Sequence, residues 1–186
     1  VDPRLGEKVA DFACGTGGFL VSALKHLTAK VQTPEDLQMC RGNLFGIEKK
    51  SFPYSLCMTN LILHEVDEPK IYQDNSLNKN VRELKDADMC DVILMNPPYG
   101  GTEDEIIQMN FPQEFRASET ADLFMAVIMY RLRTSGRVGV VLPDGFLFGT
   151  EGAKRNLKEK LLNEFNLHTV LRLPKSVFAP YTSIAT

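Results

Sequence analysis

Short apolar, β-branched runs alternate with helix-length segments along the whole chain, and that alternation is the pattern of a mainly parallel sheet with helices on both faces. The clearest strand is 91–95: Val92-Ile93-Leu94-Met95 is continuously apolar, as a strand buried on both faces must be. Around it, 8–13, 44–47, 70–73, 137–142 and 167–173 read as further strands, with 70–73 the weakest. Residues 17–29 read as the first helix, and 51–65 as another, with Ser51 as its cap and Pro53 tolerated in its first turn. The helix expected over 120–133 is apolar nearly all round (Leu123, Phe124, Val127, Ile128, Leu132), so it belongs in the interior. A helix capped by Thr150 would place Leu157, Leu161 and Phe165 on one face. The polar stretch 30–41, containing Pro34, reads as an insertion, and 100–119 is the one long irregular segment. No internal repeat or low-complexity tract interrupts the pattern.

A chain of 186 residues suits one domain with a substantial core. It opens on Val1-Asp2-Pro3-Arg4, with neither an initiator Met nor a leader, and Ser183-Ile184-Ala185-Thr186 ends it where another strand would begin. The expectation is one domain over 1–186, cut from a longer chain, its sheet truncated at both ends. Hydrophobic residues at 44% and charged residues at 24% are an ordinary globular balance. No apolar run approaches the ~18 residues that span a bilayer, which argues against a membrane partner. Cys14, Cys40, Cys57 and Cys90 show no paired spacing, so they read as buried free thiols in a reducing cytoplasm, not as disulfides or metal ligands. The formal charge of −3 is not that of a protein gripping duplex DNA alone, because phosphate neutralisation supplies much of such affinity. If DNA is the partner, most of the grip lies elsewhere.

Two motifs carry chemistry. Asp11-Phe12-Ala13-Cys14-Gly15-Thr16-Gly17-Gly18-Phe19-Leu20 sets a glycine-rich turn between the first strand and the first helix, where Gly15 and Gly17 allow a tight turn and a close approach to a ligand. Leu20 leaves the dinucleotide pattern G-x-G-x-x-G incomplete. A sulfonium amino acid needs an anion near its ammonium group, and Asp11 at the strand end can supply one. Glu48 after the second strand can accept both hydroxyls of a ribose, or simply be a solvated residue at a helix start. Asp74 after the third strand can accept from an adenine amine, or serve the Asp74-Asn75-Ser76 turn.

The second motif, Asn96-Pro97-Pro98-Tyr99, follows the fourth strand directly. Two prolines remove two amide donors and fix both φ angles, leaving a rigid, acceptor-rich backbone. The Asn96 side-chain carbonyl and the Pro97 backbone carbonyl can hold the two N–H groups of one aromatic amine, whose ring-delocalised lone pair makes it a poor nucleophile. Two acceptors favour a pyramidal nitrogen with its lone pair aimed at the methyl donor. Tyr99 offers a stacking face for the base, worth ~1–3 kcal/mol. In a doubly wound sheet the first and fourth strands flank the switch point where ligands bind, so the two motifs converge on one cleft.

These residues resemble the adenine-specific DNA methyltransferases, and more narrowly the modification subunit of type I restriction–modification systems. The resemblance covers essentially the whole chain. It rests on the glycine stretch, on Asn96-Pro97-Pro98-Tyr99-Gly100, on Asp122-Leu123-Phe124, on Gly136 to Pro143 and on Leu173 to Thr182. It implies a Rossmann-like S-adenosylmethionine-dependent fold. Asp11, Ala13, Gly15 and Gly17 would border the methionine moiety, Glu48 the ribose and Asp74 the adenine, with Asn96 shared between cofactor and target. Asn96, Pro97, Pro98 and Tyr99 would be catalytic on an adenine swung out of the duplex. No metal is implied. A separate specificity subunit would read the DNA sequence, with a restriction subunit as a further partner, in the cytoplasm. The chain departs from the family at Phe12, where Pro is usual, and at Gln73, where Gly is common. The family's cofactor segment upstream of the first strand and its helical N-terminal region are absent, so this stretch alone is expected to bind cofactor poorly. A protein-glutamine methyltransferase, a nicotinamide dehydrogenase and a non-catalytic assembly module are the competing classes.

Overall fold

The computed structural model describes residues 1–150, 152–174, 177–178 and 186. Five parallel strands form one sheet: β1 (Val9–Asp11), β2 (Leu44–Glu48), β3 (Lys70–Gln73), β4 (Cys90–Met95) and β5 (Leu132–Val140), in the order β3-β2-β1-β4-β5. The chain steps outward from β1 to β3, then returns to lay β4 against the other side of β1, pairing Ala10 with Ile93. The direction of winding therefore reverses between β1 and β4, as the sequence implied.

Each face of the sheet has its own core. Val9, Leu44, Ile71 and Val92 pack against α1 (Gly18–Thr28), α2 (Pro34–Gly42) and α3 (Ser51–Leu63) through Leu20, Leu24, Leu27, Cys40, Cys57 and Leu61. On the other face, Ala10, Phe12, Ile47, Ile93 and Met95 meet Phe111, Phe115, α5 (Thr120–Arg131) and α7 (Gly152–Glu164). Val92 and Ile93 thus enter opposite cores, which is why the run has no polar position. Full burial of such side chains stabilises by ~1.5–3 kcal/mol each. Helix α5 is buried at every residue from Thr120 to Met129, as its all-round apolarity required. All four cysteines are free and buried.

Several expectations are corrected. The stretch 30–41 is not a featureless insertion: it contains α2, opened by a capping box in which Thr33 and Asp36 exchange hydrogen bonds of 3.1 Å, with Pro34 in the first turn. Strand β1 ends at Asp11, two residues early, because the backbone turns there. The helix over 120–133 stops at Arg131, and Leu132 already pairs with Cys90. The register then shifts, with Val92 opposite Arg137, so 133–136 bulge out, with Ser135 at φ 65°. The strand expected at 137–142 is the second half of β5 and pairs as far as Val140, with the Val141 amide donating to the Met95 carbonyl at 3.0 Å. No strand forms over 167–173. Leu167, Val170 and Leu171 are exposed there and, among the described residues, no neighbouring strand pairs with them, so their apolarity alone does not make a strand. The helix after Thr150 begins at Gly152, and Leu157, Leu161 and Phe165 do pack on one core. The expected start of another strand falls on 183–185, outside the described residues. The long irregular segment holds a single-turn helix, α4 (Glu105–Gln108), and a 3-10 turn at Gln113–Phe115; α6 (Asp144–Phe148) is a further short helix. Among the described residues no helix is long and apolar enough to cross a membrane.

Candidate active site

The carboxyl edge of the sheet collects the strand-end residues Asp11, Glu48, Asp74 and Asn96. Pairing at this edge continues past the strands: the Cys14 amide donates to the Ile47 carbonyl at 3.1 Å and the Asp74 amide to the Glu48 carbonyl at 3.1 Å. Asp11, Glu48, Asp74 and Asn96 therefore end four adjacent strands on one rim.

The glycine turn folds on itself. Gly15 and Gly17 take φ of 54° and 83°, the left-handed region that favours glycine, and the Gly17 amide donates to the Cys14 carbonyl at 2.8 Å. The two glycines do different work. A Cβ at Gly15 would meet nothing within 4 Å, whereas one at Gly17 would lie 2.7 Å from the Cys57 sulfur. The close approach that Gly17 allows is thus to α3; the open side of the turn is at Gly15. The hydrogen bond with Cys57 and burial hold the Cys14 thiol well above its ordinary range, so it stays protonated. Asp11 is 2% exposed, and the only hydrogen bond to its carboxylate among the described residues comes from the Ala13 amide at 3.0 Å. Burial pushes its pKa up to about 7. A buried carboxylate with no cation beside it is costly, and an incoming ammonium group would relieve that cost.

Glu48 is half-buried and already engaged: Oε2 accepts from the Gly15 amide at 2.9 Å and Oε1 from the Lys50 amide at 2.8 Å. It braces the glycine turn, and each carboxylate oxygen keeps a lone pair for a ribose hydroxyl. Asp74 is exposed, with Oδ1 accepting from the Asn75 amide at 2.7 Å and from the Asn78 side chain at 3.0 Å. Its side chain makes the turn contacts that one of the two sequence readings foresaw. The donor set suits a sulfonium nucleoside: a buried anion for an ammonium group, an open glycine turn, and two carboxylates further along the rim.

At the end of β4, Pro97 is buried, while Asn96 and Pro98 are exposed. The Tyr99 hydroxyl donates to Asn96 Oδ1 at 2.6 Å. Burial pushes the phenol up to about 12, which keeps it a donor at neutral pH. Tyr99 therefore aims the Asn96 amide as well as offering a ring, a role the sequence did not disclose. Its ring meets the edge of Phe178 with centroids 6.4 Å apart, so the C-terminal segment returns to the motif. In the segment that follows, Phe111 is a fully buried core residue, and Arg116 donates to its carbonyl at 3.2 Å.

Residues 1–186 match, along their whole length, the family described as N-6 DNA Methylase. The chain belongs to that family. The chain is 49% identical to the EcoEI methylase subunit of a type I restriction enzyme of Escherichia coli, over 100% of the chain and 38% of that protein. A solved type I modification subunit from Vibrio vulnificus YJ016 superposes with a TM-score of 0.93 at 48% identity, covering 99% of the chain and 40% of its own. The EcoKI M protein superposes with a TM-score of 0.84 at 26% identity, covering 98% of the chain and 39% of its own. The chain thus spans about two fifths of the length of these relatives. The Rossmann-like methyltransferase fold expected from sequence is the fold observed.

Proposed function

We propose that this chain is the catalytic core of a type I modification subunit, which transfers a methyl group from S-adenosylmethionine to the exocyclic amine of adenine in DNA. One observation carries the reading. The glycine turn and the Asn96–Tyr99 motif leave neighbouring parallel strands at the same edge, with Ala10 opposite Ile93, so methyl donor and acceptor fit one cleft.

Bound S-adenosylmethionine supplies an electrophilic methyl group on its sulfonium. Asp11 receives the ammonium end and the open turn at Gly15 admits the chain of the ligand, with Ala13 and Gly17 completing the turn. Glu48 would take the ribose hydroxyls and Asp74 the adenine amine. Asn96 Oδ1, aimed by Tyr99, accepts one N–H of the target amine. The Pro97 carbonyl, which among the described residues accepts no hydrogen bond, accepts the other. Pro98 makes that backbone rigid. Held so, the target amine would present its lone pair to the methyl group that the cofactor supplies, and would shed one proton to solvent afterwards. No strong base is needed before transfer.

The net charge of −3 assigns most of the DNA grip to other protein surfaces. A DNA-specificity subunit is the proposed partner, and a restriction subunit a further one. The enzyme would work in the cytoplasm. The test incubates the full-length protein and its specificity subunit with methyl-labelled cofactor and either DNA or a release-factor-like protein. Label on DNA adenine is expected. Label on protein alone would transfer the reading to a glutamine substrate. Asn96→Ala should abolish transfer while leaving S-adenosylhomocysteine affinity within about threefold, since little ground-state binding is assigned to it.

A further inference from the structure

We propose that Glu103 is a positioning residue, whose carboxylate latches the segment leaving the Asn96–Tyr99 motif onto the ends of β2 and β3. This inference rests on the methyltransferase reading and adds to it a residue that sets the register between the two halves of the cleft.

The segment after Tyr99 does not wander. The Thr120 amide donates to the Gly101 carbonyl at 2.9 Å, Thr102 bridges Glu119, and the Glu103 amide donates to the Ser118 carbonyl at 3.0 Å. This short ladder ties the exit of the motif to the start of α5 and presents the Glu103 side chain sideways, along the rim. The side chain is 10% exposed, unusual for a Glu on a surface segment. Its Oε1 receives the Lys49 ammonium at 2.9 Å, and its Oε2 accepts from Asn75 Nδ2 at 3.4 Å. Lys49 and Asn75 each directly follow one of the rim carboxylates, Glu48 and Asp74. One carboxylate therefore holds both strand ends that face the nucleoside, and it sits seven residues from the catalytic Asn96.

The rest of the segment is fixed without Glu103. Asn110 donates to the carbonyls of Leu77 and Asn78 at 2.9 Å each, and Arg82 donates to the Met109 carbonyl at 3.0 Å. Asn75 Oδ1 also keeps the Leu77 amide at 3.1 Å. Loss of the Glu103 side chain should thus spare the fold and release the rim alone.

The experiment measures S-adenosylhomocysteine affinity by calorimetry, and ligand-free unfolding, in the full-length protein carrying Glu103→Ala, Glu103→Gln, Lys49→Met or the Glu103→Ala/Lys49→Met pair. Glu103→Ala should weaken binding about tenfold, the loss that one charge-assisted contact carries. Glu103→Gln keeps an acceptor for Asn75 and should recover about half of that loss on a logarithmic scale. The double variant should be no worse than Glu103→Ala, because both changes break one bridge. Ligand-free melting should move by less than about 2 °C. Affinity of Glu103→Ala within twofold of wild type, full additivity with Lys49→Met, or a large melting shift without a binding change would each overturn the proposal. Wild-type protein that fails to bind S-adenosylhomocysteine would instead remove the methyltransferase reading, and this inference with it.

Discussion

Replacing Gly17 by Ala tests whether the glycine turn is shaped by α3 or by the ligand. Gly17 sits at φ 83°, and its missing Cβ would stand 2.7 Å from the Cys57 sulfur and 3.6 Å from the Cys57 Cβ. Ordinary contacts between non-bonded carbons begin at about 3.5–4.0 Å, so the first of these cannot be accommodated without movement. Cys57 is 0% exposed on a packed helix, so the helix itself must give. The left-handed backbone costs a non-glycine residue ~1–2 kcal/mol, and overpacking a filled core costs ~1–3 kcal/mol. The sum is about 2–5 kcal/mol, and a value of about 3 kcal/mol sets the scale. In a domain of this size each kcal/mol is ~2–4 °C of melting temperature, so Gly17→Ala should melt roughly 6–12 °C below wild type by near-ultraviolet dichroism of the full-length protein. The decisive measurement is a double-mutant cycle with Cys57→Ala, which removes the sulfur. The overpacking part should return as a coupling of ~1–2 kcal/mol, and the backbone part should not. A melting point within about a degree of wild type, or a cycle with zero coupling, would refute the reasoning. Zero coupling together with lost cofactor binding would mean the Cβ meets the ligand after all.

Tyr99→Phe removes only the hydroxyl that aims Asn96; methyl transfer should slow about tenfold, the worth of ~1.4 kcal/mol in the transition state, with S-adenosylhomocysteine affinity unchanged by calorimetry, and unaltered turnover would deny the aiming role. Burial raises the Asp11 pKa from 3.8 to about 7, so between those values the folded state holds a proton that the unfolded chain has released, and stability falls as pH rises. Asp11→Asn should therefore gain melting temperature over wild type from about pH 4 to pH 8, a gain that a bound ammonium ligand would erase in the comparison; a difference that shrinks with pH would contradict the burial argument. Thr33→Ala breaks the capping box of α2 and should cost ~1 kcal/mol in denaturant unfolding, while leaving cofactor affinity untouched.

The parts of the fold legible in the sequence are those that depend on local patterning and on burial from both sides. Val92-Ile93-Leu94-Met95 had to be an interior strand because its residues enter the cores on both faces, and the segment from 120 had to be an interior helix for the same reason, although it ends at Arg131 and not at 133. The two motifs were legible because glycines and prolines restrict the backbone by themselves, whatever surrounds them. The strand at 167–173 was misread because a strand needs a partner edge, and apolar residues do not reveal whether one is present. The start of β5 was hidden by a bulge at 133–136, since register across a pair is a property of two segments. The Thr33–Asp36 box is a local pattern, with both partners within one turn of sequence.

At the site, composition and spacing determined which side chains stand at the strand ends, because a parallel sheet puts every carboxyl end on one edge. Only the tertiary structure decided what those side chains touch. That Gly17 yields to Cys57, and that Glu103 joins Lys49 to Asn75, are contacts between segments up to some fifty residues apart. Such contacts depend on the distance between elements, which packing sets and local sequence does not encode.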